Sequence, residues 1–411
     1  MPTRRGWAAF GTGLFLWVAA RFIGSPDLHM VAAGLFALPF VSLALVRWGQ
    51  LKVTVHRSLS AVRVFPGTRV VVTLAVRNDG RATLPFLLLE DVVPASIGKP
   101  ARLVVTGIPP GQEQRASYSF TCRQRGVYSI GPLTITVTDP FGLARTRVGA
   151  TGQNDLIVFP RVEPLQPWKL GAHGAGSGES AVRYLQRTAA DFYTMRQYVT
   201  GDDLRRIHWP SVARTGELMI RQDESTRRSW ATLFLDNRGG ALGMTGSRAF
   251  ERVVSCAASI GRVLLRAGFT LTLATADGVP RDVSETALLE FLAGVSQARV
   301  KGVADILTRL RSASPPDSTL AVVGPLPVAS ELGVLTQVGL AFGRKLAVLV
   351  LPIDAPNSGG LGELGVRARW ARGTLVRAGW DVYLVAPDAT LGEEWQRRNP
   401  RRLRATALSS S

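Results

Sequence analysis

The chain has 411 residues, of which 46% are hydrophobic and 19% are charged, and its formal net charge is +19. This composition excludes an intrinsically disordered chain, and the length allows two or three domains. The two cysteines lack CxxC spacing and the four histidines lack an HExxH pattern, which argues against the common Cys- and His-based metal sites.

Two apolar segments lie near the N-terminus, at 7–23 and 28–46. Each is close to the roughly 20 residues that a bilayer-spanning helix requires. We therefore predict a hairpin of two transmembrane helices within residues 1–52, with a turn at 24–27. A cleaved signal peptide is the alternative for the first segment, and it is disfavoured because a second span follows at once.

The charges that flank the two segments predict their orientation. Arg4 and Arg5 precede the first segment, and Arg47 and Lys52 follow the second. By the positive-inside rule, both ends face the cytoplasm, so the chain is predicted to be a multi-pass protein of the inner (plasma) membrane with cytoplasmic soluble domains. Two unpaired cysteines, expected to be buried reduced thiols, agree with a reducing compartment. Membrane lipids are then the expected partners of the positive charge.

Residues 53–161 alternate β-branched runs with turn signals. This spacing predicts an antiparallel β-sandwich, immunoglobulin-like in type. The predicted strands include 69–77, 84–89, 117–122 and 133–138. The next segment, 162–183, is rich in Gly and Ser and is predicted to be a flexible linker, since it contains neither a GxSxG nor a Walker motif.

Residues 230–390 alternate apolar strands with helical patterns. The first strand is predicted at 230–235, and Ser247 is expected to cap a helix that stops at Gly268. The pattern predicts a three-layer α/β domain with a mainly parallel sheet. Its further strands are predicted at 269–274, 319–323, 346–351 and 382–385, and its further helices at 285–295, 303–310, 328–342 and 361–378. Residues 391–411 are expected to form a frayed basic tail.

A distinctive motif lies between the linker and the α/β region, in the segment 184–229. Residues 198–209 read Tyr-Val-Thr-Gly-Asp-Asp-Leu-Arg-Arg-Ile-His-Trp, and Ala213-Arg214 follow. This run resembles the hallmark of a large bacterial family, the domain of unknown function 58 family. The upstream runs 125–128 and 139–143 look like the segment that closes the sandwich in the same family. The resemblance implies a von Willebrand factor A-like α/β domain. It also implies, as partners, a MoxR-type AAA+ ATPase and a transglutaminase-like membrane protein.

The hallmark residues admit two interpretations. They are Tyr198, Gly201, Asp202, Asp203, Arg205, Ile207, Trp209, Ala213 and Arg214. In one interpretation they dock a partner. In the other they form an ion-paired loop that packs its tyrosine, isoleucine and tryptophan against the first α/β strand. A catalytic role for the aspartates is disfavoured, because no His, Cys or Ser nucleophile accompanies them.

The loop after the first α/β strand bears on metal binding. A cation-binding von Willebrand A domain carries Asp-x-Ser-x-Ser there, whose oxygens suit a hard ion. This chain keeps Asp236 but has Arg238 and Gly240 at the serine positions. We expect the Arg238 guanidinium to pair with Asp236 in place of a metal, so no Mg²⁺ site, cofactor or catalytic residue is predicted.

The function predicted from the sequence is a membrane-anchored, non-enzymatic adaptor or scaffold. Two alternatives remain open. One is a hydrolase or transferase using Cys256, which lies in an apolar helical pattern that favours core packing. The other is a nucleic-acid-binding protein, which only the net charge favours, since the basic residues are dispersed and lack interleaved aromatics.

Overall fold

The structure is a computed structural model of the chain, and its backbone divides into two compact units. One unit comprises residues 1–161 with 289–295, and the other comprises residues 162–288 with 296–411. The residues that the structure describes are 1–48, 52–139, 141–166, 193–199, 207–223, 229–242, 246–300, 302–315, 317–352, 360–386 and 388–397.

Two apolar helices open the first unit, α1 (Arg4–Ile23) and α2 (Pro26–Trp48). Gly24 ends α1 in the left-handed conformation, with φ +70°, which glycine adopts without steric cost. By length and composition, Arg4–Ile23 and Pro26–Ala44 are both able to cross a membrane. The two predicted N-terminal helices are therefore present.

The two helices pack antiparallel. Phe10 lies 4.8 Å from Phe36 between ring centroids, and Trp17 lies 5.5 Å from His29. Gly13 permits this approach, because a Cβ at that position would lie 2.7 Å from the Phe36 backbone nitrogen. The start of α1 and the end of α2 therefore lie at the same end of the hairpin.

The rest of the first unit is built from β-strands. They are β1 (Val53–Leu59), β2 (Arg63–Val64), β3 (Arg69–Asn78), β4 (Leu84–Asp91), β5 (Ala101–Ile108), β6 (Glu113–Thr121), β7 (Gly126–Ile130), β8 (Leu133–Thr138), β9 (Arg145–Thr151) and β10 (Asn154–Val158). They form three sheets with the strand orders β1-β3-β6, β5-β4-β8-β9 and β2-β10-β7. All pairings are antiparallel except that of β2 with β10.

The first two sheets share one hydrophobic core. Alternate residues of β3 point inward, including Val72, Leu74 and Val76, and they pack with Leu87 and Leu89 of β4. This period of two is what a half-buried strand requires. The four predicted strands of this region are confirmed as β3, β4, β6 and β8, with ends shifted by up to four residues.

A buried ionic network joins strands of this unit. Arg57 and Asp91 are only 2% and 1% exposed in their side chains and approach to 2.6 Å. The Arg57 guanidinium also donates to the carbonyls of Ile130 (3.1 Å) and Gly152 (2.7 Å), and the Tyr118 hydroxyl donates to Asp91 at 2.7 Å. Burial, together with this bond, raises the pKa of Tyr118. The buried charges are therefore fully partnered, as buried ions must be.

The second unit begins with a hairpin and continues as an α/β sheet. Its strands are β11 (Tyr193–Gln197), β12 (Met219–Asp223), β13 (Trp230–Leu235), β14 (Thr270–Thr275), β15 (Arg281–Val283), β16 (Thr319–Pro325), β17 (Arg344–Val350) and β18 (Asp381–Val385). Its helices are α3 (Trp209–Thr215), α4 (Gly239–Leu242), α5 (Arg248–Arg266), α6 (Glu285–Gly294, whose C-terminal part falls in the first unit), α7 (Ala304–Ala313), α8 (Ala329–Gly339), α9 (Gly360–Arg377) and α10 (Leu391–Arg397).

The α/β sheet has six strands in the order β15-β14-β13-β16-β17-β18. Five neighbouring strands are parallel, namely β14, β13, β16, β17 and β18, and the edge strand β15 pairs antiparallel with β14. The central strand β16 is buried along its whole length, as expected for a parallel strand that is covered on both faces. The mainly parallel sheet predicted from the sequence is therefore present.

Local sequence signals position α5, the first long helix after β13. The Ser247 hydroxyl caps α5 by accepting a bond from the Phe250 backbone N–H, as predicted. Gly261 brings this helix close to the sheet, because a Cβ there would lie 3.1 Å from a methyl of Leu233. The helix ends just before Gly268, which has φ +84°.

Two boundary predictions are wrong. Residues 391–397 are a helix, not a frayed tail; Trp395 is 1% exposed and its ring stacks on that of Tyr383 at 4.8 Å. Residues 162–166 were predicted as flexible linker, yet Glu163 forms an ion pair with Arg252 at 2.8 Å and accepts a bond from the Gly392 N–H. Residues 167–183 of the predicted linker lie outside the described residues.

Candidate functional site

The strand order of the α/β sheet reverses between β13 and β16. In open α/β sheets, ligands bind in the crevice outside the carboxyl ends of the strands at this point. Asp236 follows β13 directly, Gly324 and Pro325 end β16, and Glu331 lies in the first turn of α8. This crevice is therefore where a fold of this type would place a ligand.

An arginine with two carboxylate partners occupies the crevice. Arg238 donates from Nε to Asp236 Oδ1 at 2.8 Å and from Nη2 to Asp236 Oδ2 at 2.7 Å. It also donates from Nη1 to Glu331 Oε1 at 2.6 Å. The three side chains are only 12%, 10% and 18% exposed. The bidentate fork on Asp236 is the strongest form of Arg–carboxylate pairing.

The backbone supports this cluster on both sides. The Arg238 N–H donates to Asp236 Oδ1 at 3.2 Å, and the Val328 N–H donates to Glu331 Oε2 at 3.1 Å. Gly324 leaves room for Asp236, because a Cβ at that position would lie 2.6 Å from the Asp236 Cβ. The bonds to Asp236, followed by those to Glu331, raise the pKa of Arg238 above its ordinary value in spite of burial. The guanidinium is therefore a permanent cation in the crevice.

Asn237 ties the same loop to its neighbours. It is 1% exposed. Its side-chain N–H groups donate to Asp277 at 3.1 Å and to the Ser296 carbonyl at 2.9 Å, and its Oδ1 accepts from the Ala276 N–H at 3.0 Å. Sequence reasoning identified Asp236 and Arg238 but missed Asn237 and Glu331. For Asn237, the available signal was an asparagine between two charged residues at a buried strand end. For Glu331, the sequence offered no signal.

The chemistry available in this crevice is limited. Both Asp236 oxygens and one Glu331 oxygen already accept charged hydrogen bonds from Arg238. Across the part of the chain that the structure describes, no group of three His, Cys, Asp or Glu side chains is arranged to hold a metal ion. The arrangement is therefore suited to bracing the loops after β13 and β16.

The described part of the family hallmark forms a two-stranded hairpin with a short helix. Strands β11 and β12 pair antiparallel from Tyr193↔Asp223 to Gln197↔Met219. The pairing extends beyond the strands, because the Tyr198 N–H donates to the Leu218 carbonyl at 2.8 Å and the His208 N–H donates to the Met219 carbonyl at 2.9 Å.

This hairpin displays apolar side chains. Trp209 is 66% exposed, Val199 61% and Leu218 43%, and no residue of α3 is buried. Trp209 therefore does not pack against the first α/β strand, as one of the two interpretations expected, whereas Tyr198 and Ile207 are half-buried. We call Val199, Trp209 and Leu218 the hallmark surface.

The other hallmark residues divide into two groups. Ala213 and Arg214 lie on α3 and are exposed. The predicted site residues Gly201, Asp202, Asp203 and Arg205 lie outside the described residues.

Neither thiol is placed for nucleophilic chemistry. Cys256 lies inside α5 and Cys122 lies in the first unit, and both are free and buried. Burial raises the pKa of both thiols above the ordinary value, and a nucleophilic cysteine needs the opposite shift. The expected buried, unpaired thiols are present.

Residues 194–319 match the family model described as Protein of unknown function DUF58. The resemblance to the DUF58 family that the hallmark indicated is confirmed over this segment. The matched segment contains most of the hallmark hairpin and the sheet as far as the start of β16. It therefore includes the hallmark surface and the Asp236–Arg238 pair, but not Glu331.

A curated relative agrees with this assignment. The chain is 26% identical over 249 residues to the uncharacterized protein YeaD of Bacillus subtilis (strain 168). The match covers 58% of this chain and 60% of the relative, so it spans about three-fifths of the relative's length.

Solved structures that resemble parts of the chain do so only weakly. The CARDB domain of the PF1109 protein from Pyrococcus furiosus is 18% identical, with a TM-score of 0.22, over 26% of this chain and 93% of that domain. The alkylpurine DNA glycosylase AlkC of Pseudomonas fluorescens is 14% identical, with a TM-score of 0.18, over 34% of this chain and 42% of the glycosylase. TM-scores this low carry no argument about the fold or activity of this chain.

Proposed function

We propose that this DUF58-family chain is a membrane-anchored, non-enzymatic adaptor that presents the hallmark surface to a MoxR-type AAA+ ATPase. The observation that carries the proposal is the exposure of Val199, Trp209 and Leu218 on the hairpin that contains the family motif. The choice of ATPase follows from the family resemblance, and a transglutaminase-like membrane protein is a second partner on the same ground.

The physical case for docking begins with the hairpin itself. A two-stranded hairpin is marginally stable alone in water, and β11 and β12 form a separate two-stranded sheet. Exposed apolar side chains on such an element are typical of interaction sites. Tryptophan is also one of the residues enriched among binding hot spots, so Trp209 is the expected anchor.

The case against catalysis rests on the crevice. The strand order, which corresponds to 3-2-1-4-5-6 with an antiparallel edge strand, is that of a doubly wound fold and supports a von Willebrand A-like domain. The two sheets that share a core in the first unit likewise support an immunoglobulin-like sandwich. In the α/β sheet, Arg238 takes the place that a ligand or cation would need. The domain then serves as a scaffold.

The placement of the adaptor follows from its anchor. Helices α1 and α2 are the proposed membrane spans, and the basic residues at their outer ends support a cytoplasmic position for both soluble regions. A cytoplasmic position is where an ATP-dependent partner is found. The anchor therefore tethers the chain that carries the hallmark surface to the membrane.

The test uses the full chain in lipid nanodiscs and a purified MoxR-type AAA+ ATPase from the same organism. Binding is measured by biolayer interferometry with ATP, with ADP and without nucleotide. Trp209→Ala should weaken binding by about thirtyfold, equivalent to about 2 kcal/mol for a hot-spot side chain. Trp370→Ala is the matched control, because Trp370 is 49% exposed on α9 and lies outside the family segment.

Two results would overturn the proposal. One is no binding of the unaltered chain in any nucleotide state. The other is an equal effect of the Trp209 and Trp370 substitutions, which would move the interface away from the hallmark surface. A control variant that binds within about twofold of the unaltered chain supports the proposal.

A further inference from the structure

A cationic cleft lies in the first unit, where α1 begins. The cleft is open, has a volume of about 940 Å³, and is lined by Arg4, Arg5 and Arg145 together with Phe86 and Phe141. Its volume falls in the range of small-ligand pockets. The cleft is strongly cationic, and its walls are partly aromatic.

The three arginines of the cleft are exposed, and within the described residues none of them pairs with a carboxylate. The acidic residue that lines the cleft, Asp139, is buried. Its two oxygens accept backbone bonds from Phe141 (3.0 Å) and Ala144 (2.6 Å). The cleft therefore presents three guanidiniums that form no ion pair with the carboxylates the structure describes, and the positive end of the α1 dipole adds to them.

Backbone pairing holds the cleft in shape. Pro2 and Ala144 form an antiparallel bridge, and the Thr3 N–H donates to the Leu143 carbonyl at 2.8 Å. Gly6 brings α1 against this turn, because a Cβ there would lie 2.2 Å from the Leu143 carbonyl oxygen. The start of α1 is thus fixed to the Asp139–Leu143 motif, and the arginines on both sides face one cleft.

The position of the cleft relative to a bilayer follows from the length of α1. Its 20 residues span about 30 Å, which equals the thickness of the hydrocarbon core. Arg4 and Arg5 then lie at headgroup level. Trp7, 63% exposed in the first turns, lies where interfacial tryptophans are enriched. The cleft opens at the level where lipid phosphates lie.

We propose that this cleft binds the headgroup of an anionic phospholipid. Arg4, Arg5 and Arg145 contact the phosphate, and Phe141, which is 58% exposed, packs against the glycerol and upper acyl region. A membrane lipid is favoured over free phosphate because the charged groups adjoin the apolar surface of α1. The inference rests on the proposed membrane anchoring and is independent of the proposed docking to an ATPase.

The test uses the full chain in mild detergent and native mass spectrometry with added lipid. Phosphatidylglycerol and phosphatidylcholine are titrated against the unaltered chain and against Arg5→Gln and Arg145→Gln. Each substitution should weaken phosphatidylglycerol binding by about fivefold, equivalent to about 1 kcal/mol, and Arg145→Lys should retain most of it. Arg69→Gln is the matched control, because Arg69 is exposed and begins β3 at the end of its sheet away from the anchor.

Three results would overturn the lipid site. They are equal affinity for the two lipids, equal affinity of all variants for phosphatidylglycerol, and displacement of phosphatidylglycerol by millimolar inorganic phosphate, which would make the cleft a site for a free anion. Alkaline carbonate extraction of membranes tests the anchoring separately. Release of the chain from the membrane would refute the anchoring. Retention of the chain, together with unaltered lipid selectivity in the variants, would refute only the lipid site.

Discussion

Replacing Arg238 with alanine should destabilise the second unit by about 3–5 kcal/mol, the usual effect of removing one partner from a buried ion pair. Arg238 makes three side-chain bonds of 2.6–2.8 Å to two carboxylates. All three side chains are more than four-fifths buried, so solvent screening does not reduce the effect much. Asp236 and Glu331 would then face each other without a cation.

The assay is thermal unfolding of the full chain in detergent, followed by tryptophan fluorescence, to which the buried Trp380 and Trp395 of the second unit contribute. For a unit of this size, the predicted loss corresponds to a fall in Tm of about 6–20 °C. Adding Glu331→Gln to Arg238→Ala should recover part of the loss, because one uncompensated carboxylate is removed. Arg397→Ala, which breaks an exposed pair with Glu394 in the same unit, is the control. A fall in Tm no larger than that of the control would refute this account of the crevice.

Two further predictions concern buried side chains of the second unit. Burial raises the pKa of Cys256, so the folded chain keeps a proton that the unfolded chain loses above about pH 8.5. The free energy of unfolding should therefore keep its full contribution from this thiol below that pH and fall above it. Cys256→Ala should reduce the slope of unfolding free energy against pH in a series of unfolding measurements across that range. Trp395→Ala should lower the free energy of unfolding, measured by thermal unfolding, by about 3–5 kcal/mol, because the ring is 1% exposed and stacks on Tyr383. A loss no larger than that of Trp370→Ala would contradict the packing of α10 against the sheet.

The elements that the sequence predicted best are those with a strong local signal. The strand Trp230–Leu235 and the strand Leu133–Thr138 have the predicted ends, because uninterrupted apolar or β-branched runs bounded by turn residues leave little choice. Ser247 was predictable as a cap because its effect is confined to one helical turn. The helix Leu391–Arg397 was missed because Leu391 and Trp395 provide only one apolar turn within a charged segment.

The candidate sites show the same division between local and long-range information. The pairing of Arg238 with Asp236 could be expected because the two residues are close in sequence. Glu331 could not, because only the return of the chain through β16 brings it to the crevice. The lipid cleft is also a product of tertiary structure, since Arg5 and Arg145 meet only through the bridge between the N-terminal residues and the Asp139–Leu143 turn.

Magnesium binding tests whether Arg238 occupies the position of a cation in the crevice. A bound Mg²⁺ needs carboxylate or hydroxyl oxygens in a near-octahedral arrangement, whereas both oxygens of Asp236 already accept bonds from Arg238. Entry of the ion would displace the guanidinium from its partners, and this cost opposes binding. Titration calorimetry of the unaltered chain should therefore show no saturable Mg²⁺ binding, and Arg238→Ser, which restores a hydroxyl and removes the cation, should gain it. Saturable binding by the unaltered chain that disappears in Asp236→Ala would show instead that the arginine yields to the metal.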